Sequence, residues 1–296
     1  MKNITKIYCE IDDFCKIFVP EFNKQLISTG NKKRNKPSKL SVSEVITIMI
    51  MFHSGNFRNF KHFYIGYVKT HLKSYFPDLV SYNRFVELQQ SVTIPMFAYF
   101  HCVSRGEKTG IYFIDSTTLK VSNNKRIYRH KVFKGLAKRG KTSMGWFFGF
   151  KLHLIVNDLG EIISFALTPG NTSDNDINLV TRLAKEIAGK LFGDKGYISQ
   201  ELFEALFASG LKLITGIRKN MKNKLVKLEE KLLLRKRSII ETINDQLKNI
   251  SQIEHSRHRS PANFFVNLLS GLLAYSLKDR KPKIDLSTYA NELIFA

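Results

Sequence analysis

The sequence predicts a mixed α/β fold: a sheet flanked by helices, preceded by an all-helical N-terminal domain. Three observations predict it. Residues 1–100 carry apolar side chains at helical spacing. Around 104–110 the character changes, and Ile111-Tyr112-Phe113-Ile114 opens a β-branched, aromatic run. From there the order reads strand, hairpin, helix, strand, helix, strand, helix, which is that of a mixed sheet with helices on its faces.

A chain of 296 residues that is 43% hydrophobic and 12% aromatic can bury a core in one large domain or two smaller ones, which excludes disorder. Formal net charge is +22. Solubility needs far less, so the excess favours a polyanionic partner, nucleic acid first and an anionic membrane surface second. Cys9, Cys15 and Cys102 form neither a CxxC pair nor an even framework, which points to a reduced, cytoplasmic compartment. The start Met1-Lys2-Asn3-Ile4 leads into no apolar segment of signal-peptide length. The apolar stretches near 45–52 and 264–277 are too short or too broken to span a bilayer.

In the N-terminal region, Ile7, Ile11, Phe14 and Phe18 mark a first helix. Residues 30–39 are a basic linker with Lys32, Lys33, Arg34, Lys36 and Pro37. Ser41 followed by Glu44 is a capping box, and it opens a helix that stops near Gly55. Phe57, Phe60, Tyr64, Tyr67 and His71 space as another helix, and a further one lies around 84–91. Such a bundle serves either as a DNA-binding module or as a packing or dimerisation domain, and no helix-turn-helix spacing decides between them.

The strand Ile111-Tyr112-Phe113-Ile114 ends in Asp115. Residues 116–157 then contain no acid at all but hold Lys120, Lys125, Arg126, Arg129, Lys131, Lys134, Lys138, Arg139, Lys141 and Lys151. A solvated loop mixes signs, so this span reads as a phosphate-backbone contact. Residues 145–156 and 161–168 are strands joined by the hairpin turn Asn157-Asp158-Leu159-Gly160, which makes Asp158 a turn residue. Ser173 with Asp176 is expected to cap a helix running to about Ile187, with Asp174 and Asp176 as first-turn acids. Lys190-Leu191-Phe192-Gly193 delivers Asp194 at a strand end, and Gly193 and Gly196 are expected to leave room beside it for a bound phosphodiester. A helix over 199–209, a strand over 211–217 and a basic block over 218–237 follow.

A long helix is expected over 238–252. Ile239, Ile240, Ile243, Leu247 and Ile250 form its apolar face, and Arg237, Glu241, Asn244, Asp245 and Lys248 the polar one. Taken alone, the polar face reads as an exposed ion-pair ladder. Asp115 and Asp194 alter that reading, because carboxylates at the ends of apolar strands are costly unless paired or metal-bound. Asp115, Asp194 and Glu241, delivered by two strands and a helix, suit hard divalent cations, Mg²⁺ or Mn²⁺ rather than zinc. Two such ions can serve an in-line phosphoryl displacement. Pro261 starts a last apolar helix to about Leu277.

The histidines His130, His153, His255 and His258 show no zinc-binding spacing and read as phosphate contacts or ligands. His255-Ser256-Arg257-His258-Arg259 is either a DNA-backbone contact or a basic loop. Trp146 beside Phe147 and Phe148 is expected in the core, with stacking on a base as the alternative.

These residues resemble those of bacterial insertion-sequence transposases with a DDE catalytic triad on a ribonuclease-H-like fold, over about 111–277. Ile114-Asp115-Ser116-Thr117 is similar to the family's first-Asp strand. Phe148-Gly149-Phe150-Lys151-Leu152-His153 with Thr168-Pro169-Gly170-Asn171-Thr172-Ser173-Asp174 resembles its hairpin and following turn. Gly193-Asp194-Lys195-Gly196-Tyr197 is the most specific match. Arg237, Glu241 and Lys248 fit the family's last motif, in which Leu234 stands where relatives have Tyr.

The resemblance implies catalytic and metal-binding roles for Asp115, Asp194 and Glu241, with two Mg²⁺ ions and Mn²⁺ able to replace them. It implies cleavage of double-stranded DNA at the terminal inverted repeats of an element, then strand transfer into target DNA. DNA contacts are expected from Arg237, Lys248, Lys195, Arg126, Arg129, Lys131, Lys138, Arg139, Lys141, Arg257 and Arg259. A homodimer on DNA in the bacterial cytoplasm, associated with the nucleoid and without membrane, is expected. The expected division is a helical domain over 1–105, a catalytic domain over 106–280 and a tail over 281–296. A same-fold nuclease without strand transfer, and a non-catalytic DNA-binding protein derived from a transposase, are the competing readings.

Overall fold

A computed structural model describes residues 4–34, 36–55, 57–217, 221, 227–254 and 258–285. The chain groups into two compact units, Met1–Ser104 with Leu247–Leu277, and Arg105–Gln246 with Lys278–Ala296.

The first unit is helical. Helix α1 (Ile4–Ser28) buries Ile7, Ile11 and Cys15. Helix α2 (Val42–Ser54) starts with the predicted capping box: Ser41 Oγ accepts from the Glu44 N–H, and the Glu44 carboxylate accepts from the Ser41 N–H. Its residues from Val45 to His53 are all buried, so it is the central helix of the bundle. The aromatic run 57–71 forms two short helices, α3 (Phe60–His62) and α4 (Lys69–His71), joined by a π-helical turn over Phe63–Val68. Helix α5 (Tyr82–Ser91), capped by Ser81, and α6 (Thr93–Tyr99) complete the N-terminal set.

The second unit holds a six-stranded sheet: β1 (Ile111–Ser122), β2 (Lys138–Thr142), β3 (Gly145–Asn157), β4 (Ile162–Pro169), β5 (Gly189–Gly193) and β6 (Leu211–Thr215). The order is β2-β3-β1-β5-β6, with β4 also on β3. Strand β3 is long enough to share one edge, pairing β2 through its first residues and β4 through the rest. Strands β1 and β3 run antiparallel, while β1, β5 and β6 run parallel. This is the predicted mixed, ribonuclease-H-like sheet. Helices α7 (Ile177–Leu183) and α8 (Gln200–Ala208) cover one face, where Tyr112 and Ile114 pack with Leu179, Val180, Leu202 and Leu206. Helix α9 (Leu228–Arg235) is pinned to β5 and β6 by Lys190–Glu229 and Lys212–Glu230 ion pairs of 2.9 and 2.6 Å. Helix α10 (Ser238–Asp245) packs against β1.

Several expectations are corrected. Strand β2 lies in the part of the basic span before residue 145, where no strand is expected; its sequence has no apolar alternation, and pairing with β3 makes it a strand. Helix α7 is capped by Asp176, whose carboxylate accepts from the Leu179 N–H, while Ser173 bonds Asn175. It ends at Leu183, short of Ile187. The helix expected over 238–252 changes to a π-helical turn at Gln246–Ile250, which rotates Ile250 off the apolar face to 46% exposure. The last helix, α11 (Pro261–Ser276), groups with the N-terminal helices rather than with the sheet. It is apolar all round, so its sequence gives no face that identifies its partner. Among the described residues no helix is long and apolar enough to cross a membrane.

Gly149 sits where β1 and β3 are in register with no room between them: a Cβ there would lie 2.0 Å from the Leu119 carbonyl oxygen. Gly149→Ala is therefore expected to destabilise the sheet by about 2 kcal/mol or more, read as a fall in the thermal unfolding midpoint.

Candidate active site

The site begins with register. Strands β1 and β5 pair in parallel with Phe113 beside Phe192, and the two rings stack at 5.4 Å. Side chains two apart in a strand share a face. Beyond that pair come Asp115, still on β1, and Asp194, in the turn just after β5, whose charge acts on Asp115. Strand β5 ends at Gly193, so β1 continues past Asp115 with its β5 edge open. The chain leaves β1 toward β3 and leaves β5 toward β6, so the crevice stands at the sheet's topological switch point, where α/β folds place their ligands.

Asp194 caps the 3₁₀ turn Lys195–Tyr197, its Oδ1 accepting from the Gly196 N–H at 2.8 Å. The glycines have a local cause, which replaces the expected room for a phosphodiester. A Cβ on Gly193 would lie 3.2 Å from the Tyr197 ring, and one on Gly196 2.9 Å from Asp194 Oδ1. Tyr197 is fully buried, so it supports the turn rather than facing solvent. Burial, with Asp115, Asp174 and Asp194 nearby, holds its phenol well above the usual range.

Burial pushes the Asp115 carboxyl up to about 6, opposed by the Ser116 N–H and the Arg237 guanidinium and reinforced by the charges of Asp194 and Glu241. Asp194 and Glu241 thus each act on Asp115 within the second unit. Glu241, on the first turn of α10, is held by Arg237 in a 2.7 Å ion pair. Asn244, one turn on, is not on the solvent face as expected. It is buried and donates from Nδ2 to Asp115 Oδ2 at 3.2 Å. Helix α10 presents Asn244 to the sheet because Ile240, Ile243 and Asn244 adjoin on one side of the turn.

The donor set is all oxygen, which suits Mg²⁺ or Mn²⁺. Among the described residues no three His, Cys, Asp or Glu side chains are assembled as a metal-ligand group. Asn244 occupies one oxygen of Asp115, and Arg237 holds Glu241. The chemistry of the donors fits a hard cation, and Arg237 engages only the Oε1 oxygen of Glu241.

A second polar network was not legible in the sequence. Asp174 Oδ1 accepts from Ser116 Oγ at 2.7 Å and from Lys151 Nζ at 3.0 Å, and Lys151 also donates to the Thr172 carbonyl. Asp174 is therefore not a first-turn helix acid, and Lys151, 11% exposed at its side chain, is a structural ion-pair partner rather than part of a cationic surface. The sequence feature that could have found it is a lysine inside the apolar strand Phe150 to Val156, where a buried cation demands a partner. His153 is buried, bonds Thr168 Oγ1 at 2.9 Å, and has its imidazole pushed down to about 4 by desolvation. It is a core histidine. Asp158 is the predicted turn residue: Gly160 has φ +72°, and Thr109 donates to the Asp158 carboxylate.

The predicted DNA contacts Arg126 and Arg129 lie on a 3₁₀ turn (Asn124–Arg129) and are exposed, as are Lys131, Lys138, Arg139, Lys141 and Lys195. Trp146 is not core. It is 52% exposed, with Arg139 and Lys141 at 4.8 and 5.7 Å from its ring. Lys141 pairs with Trp146 across β2 and β3, and alternation sends Phe147 inward and Trp146 out. Lys248 belongs to the first unit, where it faces Glu254 at 3.5 Å. Arg259 is exposed there, whereas Arg257 and His255 lie outside the described residues. His258 is half-buried against Phe264, its imidazole pushed down to about 4 by desolvation.

A carboxylate crevice in a unit that also carries a cationic, aromatic hairpin is the equipment of a protein that handles polyanions. A family profile described as "Transposase DDE domain" matches residues 105–261. The chain belongs to that family. No curated protein matches it by sequence. Among solved structures, one chain of a cryo-EM structure of the simian T-cell lymphotropic virus intasome in complex with PP2A regulatory subunit B56 gamma is 15% identical, with a TM-score of 0.28, over 65% of this chain. The match spans 62% of that solved chain's length.

Because burial raises Asp115, its ionised form costs stability above pH 6, and the protonated form removes that cost as pH falls toward the unfolded value of 3.8. In metal-free buffer, Asp115→Asn is therefore expected to stabilise the protein at pH 7–8 by on the order of 1–2 kcal/mol, with the gain vanishing near pH 4. Denaturant unfolding across that pH range measures it.

Proposed function

We propose that the protein is a DNA transposase that cuts at the ends of a mobile element and joins them to target DNA, with Asp115, Asp194 and Glu241 as its catalytic carboxylates. The observation that carries the reading is the buried Asp115 carboxyl under the simultaneous influence of Asp194 and Glu241, at the open end of β1 and β5. Family membership supports it independently.

In the first step water attacks phosphorus at the element end. The P–O3′ bond breaks, the water oxygen stays on phosphorus as the 5′-phosphate of the flanking strand and gives up its proton to solvent, and the leaving O3′ takes a proton from solvent, so the end keeps a free 3′-hydroxyl. In the second step that hydroxyl attacks a target phosphodiester. One P–O bond forms as one breaks, so no external energy source is required. Bound Mg²⁺ would supply polarisation of the attacked phosphate and activation of the attacking oxygen. The chain's own residues position and exclude. Asp115 and Asp194 hold the crevice at fixed separation through β1–β5 pairing, Asn244 orients the Asp115 carboxylate, and Arg237 keeps Glu241 poised. Exposed Arg139, Lys141 and Trp146 provide a cationic, stacking surface for a DNA strand.

The expected result is that Asp194→Ala lowers Mg²⁺-dependent cleavage and joining of element-end DNA by roughly a thousandfold while leaving DNA affinity near wild type. A gel assay that separates nicked from joined products checks this. Wild-type cleavage without joined product would favour the nuclease reading, and unaffected activity in Asp194→Ala would remove the carboxylates from the chemistry.

A further inference from the structure

The first unit contains a cleft of about 960 Å³ that the carboxylate site does not use. Three cations line it, Arg58, Lys61 and Arg259, and no acid does. None of the three makes an ion pair among the described residues; Lys61 Nζ lies over the Tyr82 ring, 5.9 Å from its centroid. Two helix N-termini add to the same sign. Ser81, Tyr82 and Asn83 open α5, and Asn263 lies in the first turn of α11. Both helices are long enough to carry an effective positive end.

The wall is also built to hold more than a bare anion. Phe60 and Tyr82 supply half-buried rings, 6.3 Å apart by centroid. Deeper in, Asn267 is buried with its side-chain amide bonded to His53, while Asn263 Oδ1 and His258 Nε2 are buried without partners among the described residues. Buried polar groups left unpaired are costly, and such groups lining a cleft mark where a ligand's donors and acceptors go. Cations at the rim, rings on the wall and amides at the floor match the three parts of a nucleotide: phosphate, base face and base edge.

We propose that this cleft binds one nucleotide of a single-stranded DNA segment, its phosphodiester held by Arg58, Lys61 and Arg259, its base against Tyr82, and its edge toward Asn263 and His258. Duplex DNA cannot present a base this way without extruding it, so the site takes an unpaired end or a flipped nucleotide. The site deepens the proposed DNA reaction but does not depend on cleavage.

The test uses full-length protein carrying Asp115→Asn, in EDTA, so that binding alone is read. The probe is a short single-stranded oligodeoxynucleotide containing 5-bromodeoxyuridine. Photocrosslinking is expected to label the peptides carrying Phe60 or Tyr82. Arg58→Glu with Arg259→Glu is expected to weaken the oligonucleotide about tenfold at fixed salt and to flatten the salt dependence of binding. Val86→Trp, which fills the cleft, is expected to abolish the crosslink. Circular dichroism and thermal unfolding check that each variant folds; if Val86→Trp does not, the charge-reversal pair decides. Unchanged oligonucleotide affinity and crosslinking in folded variants would overturn the inference while leaving the proposed function standing. Binding of deoxyadenosine monophosphate in the cleft with the oligonucleotide excluded would overturn it as well, as would a change of oligomeric state with DNA affinity intact. Failure of the starting protein to bind any DNA would overturn both.

Discussion

A carboxyl group buried beside an aromatic pair is the constraint on which the second unit depends. Asp115 sits one pleat beyond Phe113, which stacks on Phe192 of the neighbouring parallel strand. The backbone ladder fixes the separation of β1 and β5 and the stack packs on it; β5 ends at Gly193, so its pairing with β1 stops short of Asp115, and Asp194 follows in the next turn. Desolvation raises the cost of ionising Asp115, and within the sheet the Ser116 N–H offsets part of it. Further relief comes from α10 and its N-cap, through the Asn244 hydrogen bond and the charge of Arg237. Helix α10 is therefore as much a part of the site as the two strands.

The same end of the sheet carries a second charged system. Ser116, Asp174 and Lys151 tie β1, β3 and the turn after β4 together next to Asp115. Their ion pair is largely buried, and removing either member would leave an uncompensated charge. This arrangement keeps β3 and β1 in register where β3 changes edge partner from β2 to β4. Below that change, the β2–β3 pair is free to project Trp146 and its two cations outward.

How much of this the sequence carried follows from the physics of each element. Asp115 and Asp194 were legible because an acid at the end of an apolar strand is a local contradiction that one line of sequence displays. Glu241 was legible through its spacing from Arg237. Asn244 was not, since a helix wheel gives two faces but not the angle at which the sheet is met. Asp174 was not, because its partners are distant in sequence and its place before a helix offered a simpler account. Strand β2 has no pattern of its own, and Trp146 needed the β2 register to show which way it points. Helix α11 buries every side, which erases the information about where it packs.

The central claim is that Asp115, Asp194 and Glu241 form one cation site. Calorimetric titration of Mn²⁺ into the protein, in the wild type and in separate Asp194→Asn and Glu241→Gln variants, tests it most directly. The account predicts that wild type binds Mn²⁺ and that each single substitution weakens that binding at least tenfold, because each removes a ligand from a shared site. Mn²⁺ affinity that is the same in the wild type and in both variants would contradict it.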